Sequence, residues 1–213
     1  MEGLLAATGG TTVATKAPHP GVRSLALTGD IEKAQLTYMS IVQFIKTHEA
    51  NNGVLRRVLP PQGQSASRAA LLAPMAQSVL DDQTSAISIL GCRPYVQSML
   101  ERWVANRPMA VRLSGTKPGA FLARLEPPPS EVWEFRITEP VNHVRVFCRF
   151  AMPNLVIVTN LSTRKILGLK GSAAWRSAME LSVAEWRKLF PGVDPHQGAS
   201  IYDYVTENCR QVR

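Results

Sequence analysis

Apolar and polar residues alternate along the middle of the chain with the period of two that is typical of β-strands. The alternation is clearest in residues 132–137 and again in residues 143–150, so each predicted strand has one apolar and one polar face. Residues 155–160 form an almost continuous apolar run, which indicates a central strand that is covered on both faces. Short turns separate the three segments, and we therefore predict an antiparallel meander.

Apolar residues spaced three and four apart predict helices on both sides of this meander. Before it, Asp30 can cap an amphipathic helix, and further helical segments are expected at 68–78, 81–90 and 94–106. After it, a helix is expected over residues 172–190, followed by a last short helix in the C-terminal tail. The pattern thus predicts a helical N-terminal half and a mixed C-terminal half.

Changes in composition divide the chain into three regions. Residues 1–30 are rich in Gly, Thr, Ala and Pro without a sustained period, and we expect them to be a flexible leader. Residues 31–90 form the predicted helical N-terminal region, and residues 91–213 form an α+β domain with extended C-terminal helices. The expected fold class is α+β, with a small twisted antiparallel β-sheet packed by helices and preceded by a mostly helical N-terminal region.

The composition excludes several classes of protein. With 45% apolar and 19% charged residues among 213, the chain resembles an ordinary globular protein rather than a disordered tail, a collagen or a coiled coil. No apolar run approaches the ~20 residues that span a bilayer, and Glu2 stands where a signal peptide needs basic residues. The three cysteines and four histidines are widely scattered. We therefore expect a cytoplasmic protein with no membrane contact, no metal and no cofactor.

An excess of basic residues favours a polyanionic partner. The chain has 24 basic and 16 acidic residues, a formal net charge of +8, and 17 of the basic residues are arginines. The planar guanidinium suits bidentate phosphate contact better than an ammonium group does. A GC-rich genome also produces Arg-rich proteins, so this excess does not by itself establish a nucleic-acid surface.

The polar faces of the predicted strands concentrate charged and titratable side chains. They are Glu134, Arg136, His143, Arg145 and Arg149. Neighbouring strands lie ~5 Å apart, so these side chains can converge on one basic surface. Further positive charge follows the third strand, at Arg164, Lys165 and Lys170. The alternative is that they are ordinary solvated positions with cross-strand ion pairs, such as Glu134 with Arg145 or Arg149.

The order of these segments resembles the RelE/HigB superfamily of toxin ribonucleases and its phage-derived relatives, over about residues 95–175. The resemblance is carried by the motifs VWEFRI, HVRVFCRF and NLVIVTNLSTRK, in that order. It implies a small twisted antiparallel sheet that cuts RNA without a metal, typically mRNA on the ribosome. The 2′-OH of a ribose would attack the adjacent phosphodiester while cations stabilise the transition state.

The resemblance also implies roles for individual residues. Arg145 matches the strand arginine at the scissile phosphate, and Arg164 and Lys165 match the basic residues after the last apolar strand. Glu134 or His143 could accept the proton, although no family motif fixes either residue. The expected catalytic residues are therefore Arg145, Arg164, Lys165, Glu134 and His143. The expected RNA-binding residues are Arg136, Arg149 and Lys170.

Two functions from different classes follow from these residues. The first is an endoribonuclease toxin, paired with an acidic antitoxin that masks the basic cleft. The alternative is a non-catalytic protein of the same fold that binds nucleic acid or another partner through its basic residues. A protein partner held by the N-terminal helices is a third interpretation. Tyr202 or Tyr204 could take the place of the tyrosine that often ends this family's chains, but nothing in the sequence assigns that role.

Overall fold

A mixed β-sheet runs through the part of the chain that this computed structural model describes. The described residues are 39–51, 53–82, 90–115, 119–126, 130–138 and 144–212. The strands are β1 (Arg56–Arg57), β2 (Ala69–Leu72), β3 (Met109–Arg112), β4 (Leu122–Arg124), β5 (Trp133–Ile137), β6 (Val144–Met152), β7 (Leu155–Thr163) and β8 (Cys209–Gln211). The helices are α1 (39–50), α2 (Pro74–Asp81), α3 (Arg93–Val104), α4 (Arg164–Leu167), α5 (Ala173–Leu189) and α6 (Ile201–Tyr204), with a short 3-10 turn at Leu90–Cys92 before α3. All of these elements belong to one unit, Thr37–Arg213.

The eight strands lie in the order β1-β2-β7-β6-β5-β4-β3-β8. The predicted meander is present at the centre, where β5, β6 and β7 pair antiparallel. Strand β4 extends the antiparallel part, whereas β2 pairs parallel to β7, and β3 pairs parallel to both β4 and β8. The sheet is therefore wider than the meander and of mixed direction.

The prediction of a small antiparallel sheet preceded by a mostly helical N-terminal region is wrong. Strands β1 and β2 come from that N-terminal region and join the sheet beside β7. The segment 68–78 was expected to be a helix, but its apolar residues form β2, and a helix begins only at Pro74. A short apolar run does not distinguish a buried strand from a helix, and here parallel pairing with β7 decides the outcome. Leu71 becomes fully buried as a result.

Helices cover both faces of the sheet. One core lies between the sheet and α2, α3 and α6, where Trp103 packs edge-on against Phe135 and Phe150. On the opposite face, α1 and the C-terminal part of α5 enclose a second core around Trp186, and the N-terminal part of α5 encloses a third around Phe147 and Trp175. A sheet covered twice leaves few solvated positions on its central strands, including those that the alternating pattern predicts to be polar.

Tyr204 anchors the C-terminal tail in the first core. Its ring lies 4.6 Å from Trp133 and 5.1 Å from Phe150, and its hydroxyl donates to Glu131 at 2.7 Å. Glu131 also pairs with Arg124 at 3.1 Å. Burial, aided by the hydrogen bond to Glu131, raises the pKa of Tyr204 to about 12. Tyr204 is therefore a neutral core residue, whereas Tyr202 lies on the surface.

Candidate nucleic-acid interface

The carboxylate of Glu134 bridges two arginines on the face of the sheet under α5. Arg136 Nε donates to Glu134 Oε1 at 2.7 Å, and Arg145 Nε lies 3.2 Å from Oε2. Arg136 stands directly opposite Arg145 in the β5–β6 ladder, and Glu134 follows on the same face because side chains alternate along a strand. Arg145 also donates to the carbonyl oxygens of Ile137 and Val144, at 3.4 and 3.0 Å.

This part of the sheet is buried rather than solvated. Glu134 has no exposed surface, and Arg145 keeps only 9% of its own. Phe147 continues the same face and packs against Trp175 of α5, with 6.3 Å between the ring centres. The cross-strand ion pair of Glu134 with Arg145 is present, and it holds both groups in a buried arrangement.

Two further arginines join this group, which we call the arginine cluster: Arg112, Glu134, Arg136, Arg145 and Arg164. Burial lowers the pKa of Arg145. The negative charge of Glu134 raises this pKa, and the positive charges of Arg136 and Arg164 lower it. Burial likewise lowers the pKa of Arg112, as does Arg136, while Glu134 and the exposed Glu126 outside the cluster raise it. Since guanidinium groups stay protonated in proteins, the cluster holds four cations and one carboxylate, that of Glu134. The cluster therefore carries an excess of positive charge that favours an anion.

An exposed basic turn, residues 164–172, continues the cluster towards solvent. Thr163 Oγ1 accepts from the backbone N–H of Ile166 at the start of α4, and Ser172 Oγ accepts from the N–H of Trp175 at the start of α5. Gly168 and Gly171 take the positive φ values of +65° and +85° that reverse the chain between the two helices. This capped turn presents Lys165 and Lys170 on the surface.

Arg164 links the basic turn to the cluster. Its guanidinium lies over the ring of Trp175, 5.0 Å from the ring centre, and donates to the carbonyl oxygen of Gly168. Such a cation–π contact holds the planar guanidinium in one orientation. Because Arg164 is only half-buried, part of its side chain is still accessible to solvent. Arg176, in the first turn of α5, adds an exposed cation that donates to the carbonyl oxygen of Gly171 in the basic turn.

The structure brings together some of the residues expected from the sequence. Glu134, Arg136, Arg145 and Arg164 share the cluster, and Lys165 and Lys170 lie in the turn. Arg149 stands apart, since four residues of β6, or about 13 Å, separate it from Arg145, with Phe147 in between. His143 lies outside the described residues.

Sequence reasoning missed Arg112, which belongs to the cluster. It ends β3, whose four residues, MAVR, are all buried. The run is short, and both of its pairings are parallel, to β4 and β8, so no hairpin signal marks it as a strand. The parallel pairing aligns Arg112 with Ala123, which in turn stands opposite Glu134.

Within the described ranges, no three side chains of His, Cys, Asp or Glu are grouped as metal ligands would be. Among the helices of those same ranges, none has the length and apolar character needed to cross a bilayer. The arginine cluster itself offers fixed cations, and the buried carboxylate of Glu134 holds Arg136 and Arg145 in place.

Comparison with known proteins gives no relative from which a function could be transferred. No family model matches the chain, no curated protein matches its sequence, and no solved structure matches its fold. The resemblance to RelE/HigB toxins therefore stays a prediction from motifs.

Proposed function

We propose that the chain binds RNA through its phosphate groups, at the arginine cluster and the basic turn. The observation that supports this proposal most strongly is the concentration of cations in one place, from strands β3, β5 and β6 and from residues 164–176. Arginine predominates there, and its fork can donate two parallel hydrogen bonds to one phosphate.

Exposed and buried residues have different tasks in this proposal. Lys165, Lys170 and Arg176 are exposed and would contact successive phosphates of the backbone. Arg136 is 18% exposed, and its Nε is fixed by Glu134, so its terminal nitrogens are oriented before a ligand arrives. The buried Arg145 supplies positive potential from beneath the surface.

The salt dependence of binding tests the proposal. A 5′-labelled 20-nucleotide RNA of mixed sequence should bind the full chain at low ionic strength, as measured by fluorescence anisotropy between 50 and 300 mM NaCl. Each phosphate contact contributes about −0.7 to the slope of log K against log salt for a single strand. Three or four contacts therefore predict a slope of about −2 to −3. Absence of binding at 50 mM NaCl would contradict the proposal, as would affinity that does not change with salt.

A second candidate function is metal-independent endoribonuclease activity at the same cluster. The observation in its favour is that residues with implied catalytic roles, Arg145, Arg164 and Glu134, lie in one electrostatically coupled group. Guanidinium groups there could stabilise a pentacoordinate phosphorane. Glu134 is a poor proton acceptor, however, because it is fully buried and both of its oxygens face arginines. The base would have to come from elsewhere, and His143 is the candidate from the sequence.

The partners follow from whichever of these functions holds. RNA binding alone requires only a single-stranded RNA, whereas a toxin would act on ribosome-bound mRNA and would be masked by an acidic antitoxin. Both functions would place the chain in the cytoplasm. We favour binding, because the described residues supply the phosphate contacts but no accessible carboxylate within the cluster itself.

A further inference from the structure

A second buried cation, Arg149, lies on the same sheet face as the arginine cluster but at the other end of β6. Only 5% of its surface is exposed. One terminal nitrogen donates to the carbonyl oxygen of Ser130 at 2.6 Å, and the guanidinium carbon lies 5.2 Å from the ring centre of Trp186. The register of the sheet thus places a fixed guanidinium beneath the C-terminal half of α5.

Among the described residues, Arg149 forms no direct ion pair of the kind that a buried charge normally has. None of the ion pairs found among the described residues includes it, and within those residues its buried Nε has no hydrogen-bond partner. Burial lowers the pKa of Arg149 to about 10, as does the nearby Arg187, whereas Asp194 and Glu131 raise it. The group is therefore charged at neutral pH. Buried charges in proteins are usually paired, so an incompletely paired one points to a ligand.

A cavity opens directly beside this guanidinium. Its volume is about 710 Å³, which is within the range of small-molecule sites, ~300–1,000 Å³. Its lining includes Arg149, Trp186, Arg187, Phe190, Val193 and Asp194. Trp186 and Phe190 pack against each other at 4.5 Å, and the indole N–H donates to the carbonyl oxygen of Val193 at 2.8 Å. These two contacts fix the position of the Trp186 ring at the edge of the cavity.

We propose that this cavity binds a small monocarboxylate that carries an apolar or aromatic group. The carboxylate accepts hydrogen bonds from Arg149, while the exposed Arg187 closes over it from α5. The apolar group lies against Trp186 and Phe190, where it displaces water from aromatic surface. Asp194 lines the same cavity and repels additional negative charge, so a single carboxylate is favoured over a phosphate dianion.

This site is separate from the proposed RNA interface. Phe147 and its contacts with α5 lie between Arg149 and the arginine cluster. Binding of a carboxylate therefore does not depend on whether the chain binds RNA, and each proposal has its own experiment.

Isothermal titration calorimetry of the full chain with phenylacetate and with 2-phenylethanol tests this site. The two molecules share a phenyl ring and a two-carbon side chain, and only phenylacetate is an anion. We expect phenylacetate to bind with a Kd of about 1 mM or below, and the alcohol to bind at least about tenfold more weakly. Inorganic phosphate should also bind more weakly than phenylacetate. Equal affinity for acid and alcohol would overturn the proposal, and so would the absence of saturable phenylacetate binding.

Two variants identify the cation that is responsible. Arg149→Met keeps the apolar length of the side chain and should abolish phenylacetate binding, provided that its circular dichroism matches the wild type. Arg187→Gln changes an exposed side chain, so it should leave folding nearly unchanged. It should weaken binding about threefold to tenfold, which is the usual effect of losing one ordinary hydrogen bond. If both folded variants bind phenylacetate as the wild type does, the carboxylate does not use this cavity.

Discussion

Glu134→Gln should lower the free energy of unfolding by about 3–5 kcal/mol, which is the cost of breaking a buried ion pair from one side. The neutral amide cannot compensate two guanidiniums at once, and Arg145 has only 9% of its surface in solvent. Arg136 and Arg145 would then repel each other directly across the β5–β6 ladder. Chemical denaturation monitored by circular dichroism measures this difference between the variant and the wild type.

The matched control is Glu49→Gln. Glu49 also pairs with an arginine, Arg57, at 2.7 Å, but the arginine side chain is 45% exposed. An exposed pair contributes about 0–1 kcal/mol, so this substitution should be nearly neutral. If Glu134→Gln also costs less than about 1 kcal/mol, Glu134 does not hold the arginine cluster together.

Arg145→Ala should lower any RNA cleavage by the chain by about 100-fold or more, the usual effect of losing one charge that stabilises the transition state. The reason is that this buried guanidinium, fixed by Glu134 and by two backbone carbonyls, supplies positive potential to the charge that develops on a phosphorane at the surface. The measurement is the rate of product formation from the labelled RNA on a denaturing gel, with protein in excess.

Arg124→Gln is the control that separates catalysis from stability. It also removes a largely buried guanidinium, which pairs with Glu131 at 3.1 Å outside the arginine cluster. Cleavage that falls only in the Arg145 variant would support a catalytic role for the charge of Arg145. Equal losses in both variants would mean that cleavage falls because the fold is destabilised, and undiminished cleavage by folded Arg145→Ala would remove Arg145 from the mechanism.

The local elements of the central meander could be predicted because each carries its own periodic signal. Strands β5 and β6 alternate, β7 is continuously apolar, and the segment after them has helical spacing up to Phe190. Strands β2, β3 and β8 carry no such signal, because they are only three or four residues long and pair with strands that are distant in the sequence. For such short strands, pairing in the fold determines the structure, and that information is absent from a local window.

The candidate site was predictable in its residues but not in its environment. Alternation placed Glu134 and Arg145 on one face, and the structure pairs them there. The same alternation suggested a solvated surface, whereas α1 and α5 cover that face of the sheet. Which layer covers a strand depends on how helices distant in the chain pack. The pattern also did not show that Arg149 lies apart from the cluster. Phe147 stands between Arg145 and Arg149 on the same face of β6, and alternation alone assigns it to the polar face although it is part of a buried core.

The central claim is that the chain binds RNA phosphates at the basic turn. It is tested most directly by the RNA affinity of a variant in which two lysines of this turn are neutralised. Lys165→Gln/Lys170→Gln removes two exposed cations from the turn, and Lys46→Gln/Lys188→Gln removes two exposed lysines from α1 and α5, with the same change in net charge. At 50 mM NaCl, the turn variant should bind the 20-nucleotide RNA about tenfold or more weakly, with a salt slope reduced by about 1.4. The control should change affinity less than about twofold, because charges away from the contact surface act only through the net field. Equal effects of the two double variants would contradict a phosphate-binding site at this turn.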